Sequence, residues 1–328
     1  MPDRPRVFVT RKLPGDAPRA RLEAAADADI WDDDRPPARD EVVAHAQDRV
    51  GLLTMLTERI DGALLDACPT VHVVANMAVG YDNIDVPAAT ARGVLVTNTP
   101  DVLTDTSADM AFALLLGAAR RITEAEREVR GGGWGSWEPG WMFGRDVHHA
   151  TLGIVGPGRI GRAVAKRAQG FDMRVLYSGR REVPDFPGER VEFDALLAQS
   201  DFVSVHLPLN EETRGRFGAA EFRAMKPTAI FVNTARGGIV DQAALCAALV
   251  AGEIGGAGLD VTTPEPLPTD DPLLSAPNLV VTPHLGSATR QTRVKMAELA
   301  VDGVLSAAAG ERPVHLVNPE ALATWRRR

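Results

Sequence analysis

The sequence predicts an α/β protein: a doubly wound parallel sheet in its second half and a separate α/β unit ahead of it. Three observations carry this. Short apolar runs alternate with helix-like stretches along nearly the whole chain, the pattern of successive β-α units. The segment Gly156-Pro157-Gly158-Arg159-Ile160-Gly161 follows the apolar run Thr151 to Val155 and precedes the helix-like stretch Arg162 to Gly170. At 328 residues the chain is long enough for two domains, each with an ample core.

In order along the chain, strands are expected at Val7 to Thr10, Val50 to Leu56, Val71 to Ala75 and Val94 to Thr97, with helical or turn-like segments between them. Thr106 and Asp109 have capping-box spacing ahead of one long helical pattern that Gly131 to Gly133 end, and this helix is expected to cross into a second domain. Six further strands are expected at Leu152 to Val155, Arg174 to Tyr177, Phe202 to His206, Ala229 to Asn233, Gly256 to Asp260 and Leu279 to Thr282. A last helix over Ser287 to Ala309, stopped by Gly310, is expected to return the chain to the first domain. The expected boundaries are therefore residues 1–103 with 287–328 for a substrate-binding domain and 104–286 for a dinucleotide-binding one, with a cleft between them, a usual place for small-molecule sites. Pro264 to Pro272 reads as a proline-rich loop, and no internal repeat is visible.

Composition narrows the function classes. The chain is 45% hydrophobic and 24% charged, as a soluble globular protein is, and its net charge of -8 without a basic block argues against a nucleic-acid binder. Arg326 to Arg328 form only a short basic tail. The apolar run Met110 to Leu116 is too short to span a bilayer, and the start of the chain carries no signal-peptide pattern, so a cytoplasmic location is expected. Cys68 and Cys246 lie far apart with no metal-ligand spacing, and are expected to be ordinary buried thiols with no metal site.

The glycine segment reads as a dinucleotide cradle: glycines at these spacings permit a tight turn, backbone approach to a pyrophosphate and close helix-strand packing, with the helix N-terminus facing the anion. Sites for NAD usually place an acid roughly 20 residues further on, at the ribose hydroxyls. This chain has Ser178-Gly179-Arg180-Arg181 there. With no carboxylate to repel it, a 2′-phosphate can be held by the Ser178 hydroxyl and the guanidinium groups, so NADP(H) is favoured over NAD(H). The plainer alternative is that the two arginines decorate a surface turn. Pro157 has no N–H, so the phosphate must find other donors at that step.

Three later strand ends each deliver a polar residue to the edge where ligands of open α/β sheets bind. Arg236, ahead of Gly237-Gly238, suits a bidentate grip on a carboxylate. His284, in Pro283-His284-Leu285-Gly286-Ser287, titrates near neutral pH and suits proton donation to a carbonyl oxygen and its reversal. Glu265, flanked by Pro264 and Pro266, is suited to orient that ring and favour its charged form; alone, it reads as a surface glutamate.

These residues sit within motifs that resemble the D-2-hydroxyacid dehydrogenases over nearly the whole chain, and most closely the glyoxylate/hydroxypyruvate reductases. The motifs are Met77-Ala78-Val79-Gly80-Tyr81-Asp82-Asn83-Ile84-Asp85, Thr99 to Thr106, Gly131-Gly132-Gly133-Trp134 with Trp137, the glycine turn, Asn233-Thr234-Ala235-Arg236-Gly237, Gly258-Leu259-Asp260-Val261 through Pro266, and Pro283 to Thr289. The resemblance implies a Rossmann domain plus a flavodoxin-like substrate domain. It implies that Arg236 binds the substrate, that His284 is the general acid/base and that Glu265 supports it. Val79 and Gly80 would offer backbone N–H groups to the carboxylate, with Met55, Ser287 and Trp141 beside the substrate, Trp141 from the partner subunit of a homodimer. Further cofactor contacts are implied at Thr106, His206, Leu207, Pro208, Thr213, Thr234, Ala235, Arg236, Asp260, His284 and Gly286. His148-His149 matches no catalytic pattern and is expected to be solvated. Other family members, acting on D-3-phosphoglycerate, D-lactate or phosphite, remain alternatives, as does a dinucleotide-sensing corepressor on the same fold.

Overall fold

The computed structural model describes residues 4–325. Arg326 to Arg328 therefore lie outside the described residues. The chain divides into two compact units, one formed by residues up to Leu103 with those from Ala288 onward, the other by Thr104–Ser287. Ser287 thus falls with the second unit rather than at the head of the return segment.

The first unit is a five-stranded, all-parallel sheet. Its strands are β1 (Arg6–Val9), β2 (Asp27–Ile30), β3 (Gly51–Thr54), β4 (Val73–Asn76) and β5 (Leu95–Thr97), in the order β2-β1-β3-β4-β5. That is the flavodoxin-like order. Its helices are α1 (Asp16–Ala25), α2 (Arg39–Ala46), α3 (Gly62–Ala67) and α4 (Val86–Ala91), and the long helix Arg290–Ala308 packs on β3 and β4. Phe8, Leu52, Val74 and Val96 pack with α2 and α3 residues such as Val42 and Leu64 in one buried apolar core. β2 had no counterpart among the expected strands. It is an edge strand carrying Asp27 and Asp29, with none of its residues fully buried, so it lacks the apolar run by which the others are read.

The second unit opens with α5 (Thr104–Ala119) and α6 (Ile122–Arg130). Two expectations are corrected here. Thr106 lies inside the first turn of α5 and does not cap it, because the helix already begins at Thr104. The single long helix is two, broken where Arg121 takes a left-handed φ of 52°. Then come β6 (Thr151–Val155), α7 (Arg159–Ala168), β7 (Arg174–Ser178), β8 (Glu189–Arg190), α8 (Phe193–Gln199), β9 (Phe202–Val205), α9 (Ala219–Ala224), β10 (Ile230–Asn233), α10 (Gln242–Ala251), β11 (Gly256–Leu259) and β12 (Leu279–Val281). The sheet is parallel throughout, in the order β12-β11-β10-β9-β6-β7-β8. A seventh strand, β8, joins the six expected; it is two exposed charged residues at the sheet edge.

Both faces of this sheet are covered, as continuous apolar strands require. Phe112, Leu115 and Val164 of α5 and α7 pack on Leu152, Ile154, Phe202 and Val232. On the opposite face Leu196, Phe222 and Leu245 of α8, α9 and α10 pack on Val203, Val205 and Phe231. The order of strands reverses between β6 and β9, so the turn after β6 sits at the switch point, where open α/β sheets bind ligands. The closing helix, α11 (Arg290–Ala308), is capped by the Thr289 side chain and ends before Gly310, which has φ 78°. It starts later than the sequence suggests. Cys68 is buried but Cys246 is only half-buried, which corrects the reading of both as interior thiols. No helix among the described residues is long and apolar enough to cross a membrane, and they contain no His/Cys/Asp/Glu group able to hold a metal ion.

Candidate active site

The cradle after β6 is built by exclusion of side chains. Gly156 has φ 100°, and a Cβ there would lie 2.6 Å from the His206 carbonyl oxygen. A Cβ at Gly161 would lie 2.4 Å from the Gly156 carbonyl oxygen, so helix α7 can close onto the strand only without one. At Gly158, by contrast, a Cβ would meet nothing within 4 Å. The turn is therefore tight at its first and last glycines and open at its middle one, beside the N-terminus of α7, which has no side-chain cap. The first N–H groups of a helix have no partner four residues back within the helix, so this end of α7 is where donors in place of the one Pro157 lacks are to be sought. This is the fit expected of a pyrophosphate cradle.

The other candidate cofactor residues line the same carboxyl edge of the sheet. Ser178 ends β7, and Arg180 and Arg181 follow it, both exposed. His206, Leu207 and Pro208 follow β9; burial pushes the His206 ring down to about 4, so it is neutral at pH 7, and its Nε2 lies 2.9 Å from the Ser204 hydroxyl. The Thr213 hydroxyl donates to the Pro208 carbonyl at 2.6 Å and so shapes this loop from within. Thr234, Ala235 and Arg236 follow β10, and the Thr234 Oγ1 is buried without a hydrogen-bond partner in the protein, the condition of a group that awaits a ligand. Thr106 is half-buried in the first turns of α5.

Three strand ends bring the chemistry-bearing side chains together. Gly237 allows the turn after Arg236 to lie against the loop after β11, since a Cβ there would sit 2.0 Å from the Thr262 carbonyl oxygen. In that loop the Thr262 N–H donates to Glu265 Oε1 at 3.0 Å. The other carboxylate oxygen, Oε2, lies 2.9 Å from Nδ1 of His284, on the loop after β12. Burial pushes the Glu265 carboxyl up, but the hydrogen bond and charge of His284, the Thr262 N–H and the Arg236 guanidinium together outweigh it and hold the group below its ordinary value. The Arg236 backbone is fixed by the Asn233 side chain, which donates to its carbonyl at 2.9 Å.

His284 itself has φ 56°, a left-handed backbone that histidine tolerates better than most residues. Asp260 holds it there. The His284 N–H donates to the Asp260 carbonyl at 2.9 Å, while the buried Asp260 carboxylate accepts from the Thr282 hydroxyl at 2.6 Å, Leu285 N–H at 2.7 Å and Gly286 N–H at 2.6 Å. Asp260 and Gly286, expected beside the cofactor, thus bind each other, and Asp260 fixes the loop that presents the histidine. Only the register of β11 and β12 reveals this task.

Of the remaining candidates, Met55 follows β3 and Val79 and Gly80 follow β4, all half-buried in the first unit. A buried polar network that sequence reading missed supports them. Glu58 accepts from Met55 N–H at 2.8 Å, the Asn83 side chain donates to the carbonyls of Met55 and Glu58, and the Asn76 side chain donates to the Gly80 carbonyl at 2.9 Å. Ser287 ends the second unit. Trp141 lies in an exposed loop with Trp137 and Phe143, which are 81% and 74% exposed, and His148 and His149 are exposed.

The lowered Glu265 carboxyl has a measurable consequence. A carboxylate whose native pKa lies below its unfolded value stabilises the fold above the unfolded value and loses that contribution as pH falls through the native one. Glu265→Gln is therefore expected to lower Tm at neutral pH, with the gap to the parent closing as pH drops below the ordinary 4.5. Melting curves across acidic pH check this; a gap that stays constant would contradict it.

Residues 112–286 match the family described as D-isomer specific 2-hydroxyacid dehydrogenase, NAD binding domain. The chain is 51% identical over 326 residues to a glyoxylate reductase of Korarchaeum cryptofilum, covering 97% of each chain. It is 45% identical over 329 residues to a glyoxylate reductase of Thermococcus litoralis, covering 98% of this chain and 99% of that one. It is also similar to the crystal structure of an NADPH-dependent glyoxylate/hydroxypyruvate reductase of Sinorhizobium meliloti in complex with NADP and malonate, with a TM-score of 0.87, 33% identity and 99% coverage of both chains. A nucleotide cradle at the switch point, a His-Glu pair on neighbouring strand ends and full-length similarity of this degree lead to one assignment: the chain belongs to the D-isomer specific 2-hydroxyacid dehydrogenases, NAD(P)-dependent oxidoreductases.

Proposed function

We propose that the chain reduces glyoxylate and hydroxypyruvate to glycolate and D-glycerate with NADPH. The single observation that carries the chemistry is the His284 Nδ1 to Glu265 Oε2 contact of 2.9 Å at the carboxyl edge of the sheet. Reduced nicotinamide, when bound, supplies a hydride to the 2-oxo carbon. His284 donates a proton to the carbonyl oxygen as negative charge develops there, and takes it back in the reverse direction. With Glu265 on Nδ1, the Nε2 position is left to face substrate. Arg236 grips the carboxylate and polarises the carbonyl, which favours the charge that builds up in the transition state. The N–H groups of Val79 and Gly80 are suited to add donors to the carboxylate, and Met55 and Ser287 are further proposed substrate contacts. Small 2-oxo acids of this kind are also what the names of the similar reductases record.

Coenzyme choice falls to the end of β7. Ser178, Arg180 and Arg181 offer a hydroxyl and two exposed guanidinium groups where an NAD site keeps an acid. Comparing kcat/KM for NADPH and NADH with each oxoacid tests the reading. NADPH is expected to lead, and Arg180→Ala with Ser178→Ala to erase roughly tenfold of that lead; equal use of both coenzymes by the parent would overturn the preference. Binding of dinucleotide without turnover of any 2-oxo acid would overturn the enzyme reading and favour a sensor.

The exposed aromatics Trp134, Trp137, Trp141 and Phe143 are proposed to form a homodimer contact, through which Trp141 reaches the partner's substrate. The free thiols Cys68 and Cys246 accord with a reducing, cytoplasmic setting.

A further inference from the structure

We propose that Pro157 and Gly179 form a steric interlock that sets which dinucleotide the site reads at its adenosine end. The two turns that carry them start side by side. β6 and β7 pair in parallel with Val155 opposite Ser178, and the Gly156 N–H donates to the Ser178 carbonyl at 3.1 Å. One residue further along each chain, the contact is closer than any side chain allows: a Cβ at position 179 would lie 2.7 Å from Cδ and 2.8 Å from Cγ of Pro157.

Backbone conformation does not account for the glycine, because Gly179 is not among the glycines with positive φ. Space does. The proline ring is closed onto its own backbone nitrogen and cannot swing aside as a flexible side chain can. Moving it means moving the pyrophosphate turn.

Gly179 lies within the Ser178 to Arg181 stretch where an NAD site usually keeps its acid, and at this position the ring of Pro157 excludes any side chain, an acid included, by shape alone. The surroundings complete this. Arg190, on β8, donates to the Gly179 carbonyl at 3.4 Å and brings a third guanidinium beside Arg180 and Arg181. The proline, unexpected in a phosphate turn, thus acts on specificity through its neighbour: it keeps the ribose end free of side chain and of negative charge. This deepens the coenzyme reading above and rests on it only for the sign of the preference.

The test is a double-mutant cycle on the full chain, with Kd for NADPH and for NADH measured by direct titration and Tm alongside. Pro157→Ala is the reference leg, since it also restores an N–H to the turn. Gly179→Ala is expected to weaken NADPH binding roughly tenfold and to lower Tm, as overpacking of a filled site does. In the Pro157→Ala background the same change is expected to cost less than about threefold. A Gly179→Ala chain that folds only when Pro157 is also replaced supports the interlock equally. Gly179→Asp is expected to raise the NADH-to-NADPH affinity ratio by at least about tenfold in the Pro157→Ala background, and to weaken both dinucleotides when Pro157 is present. A Gly179→Ala protein that binds like the parent, or a penalty equal in both backgrounds, would overturn the interlock. A parent that binds NADH as tightly as NADPH would instead overturn the preference, and leaves the coupling in the cycle to be read as before.

Discussion

Replacing His284 with alanine is expected to lower kcat for 2-oxo acid reduction by roughly 10²- to 10⁴-fold, the usual worth of a positioned proton donor. Dinucleotide Kd is expected to change little, because the cradle around Gly156 to Gly161 is built on β6 and α7 and the histidine on the loop after β12. The loop itself should hold its shape: Asp260 grips it through the backbone N–H groups of residues 284 to 286 and the Thr282 hydroxyl, none of which the substitution removes. Steady-state kinetics with a parallel nucleotide titration separate the two quantities. Turnover near the parent's would remove His284 from the reaction, and a joint collapse of kcat and nucleotide affinity would assign it a structural task instead.

Arg236→Ala is expected to act on substrate as well as on rate. Two charge-assisted hydrogen bonds to a carboxylate disappear together, and kcat/KM for glyoxylate should fall roughly 10²- to 10⁴-fold with a marked rise in KM. Arg236→Lys should recover only part of this, since an ammonium carries charge without the planar fork. Glu265 supplies an internal check: Arg236 is among the groups that hold its carboxyl low, so its titration should move upward in the alanine variant. Unchanged kinetics in Arg236→Ala would direct the search to another anion clamp.

The parts of the fold that were legible in the sequence are those where burial leaves a continuous apolar run. Leu152 to Val155, Val203 to Val205 and Ile230 to Val232 are covered on both faces, so every position but Gly153 and Ser204 is hydrophobic and the strand declares itself. β2 and β8 did not, because an edge strand with solvent beside it tolerates Asp27, Asp29, Glu189 and Arg190. The break between α5 and α6 escaped for a different reason. Arginine at 121 carries no mark of a left-handed backbone, and Ala119 and Ile122 on either side fit a helix equally well.

The candidate site divides in the same way. Arg236, Glu265 and His284 are each visible as a polar residue just past a strand, where backbone freedom and the carboxyl edge coincide. Glu58, Asn76 and Asn83 carry no motif chemistry of their own, and the bonds by which they hold Met55 and Gly80 go to backbone atoms, which leave no trace in the sequence. The same holds for Asp260, whose carboxylate serves a loop on the next strand.

By itself, then, the sequence determined the strand-turn-helix of the nucleotide cradle and the residue types delivered to the ligand edge, because both depend on local spacing and side-chain chemistry. Which of those residues touch was decided only by tertiary structure. Hydrogen bonds and steric exclusion act within about 3 Å, and the register of parallel strands is what brings Glu265 to His284, Asp260 to the loop beyond it, and the ring of Pro157 against a residue that must remain glycine.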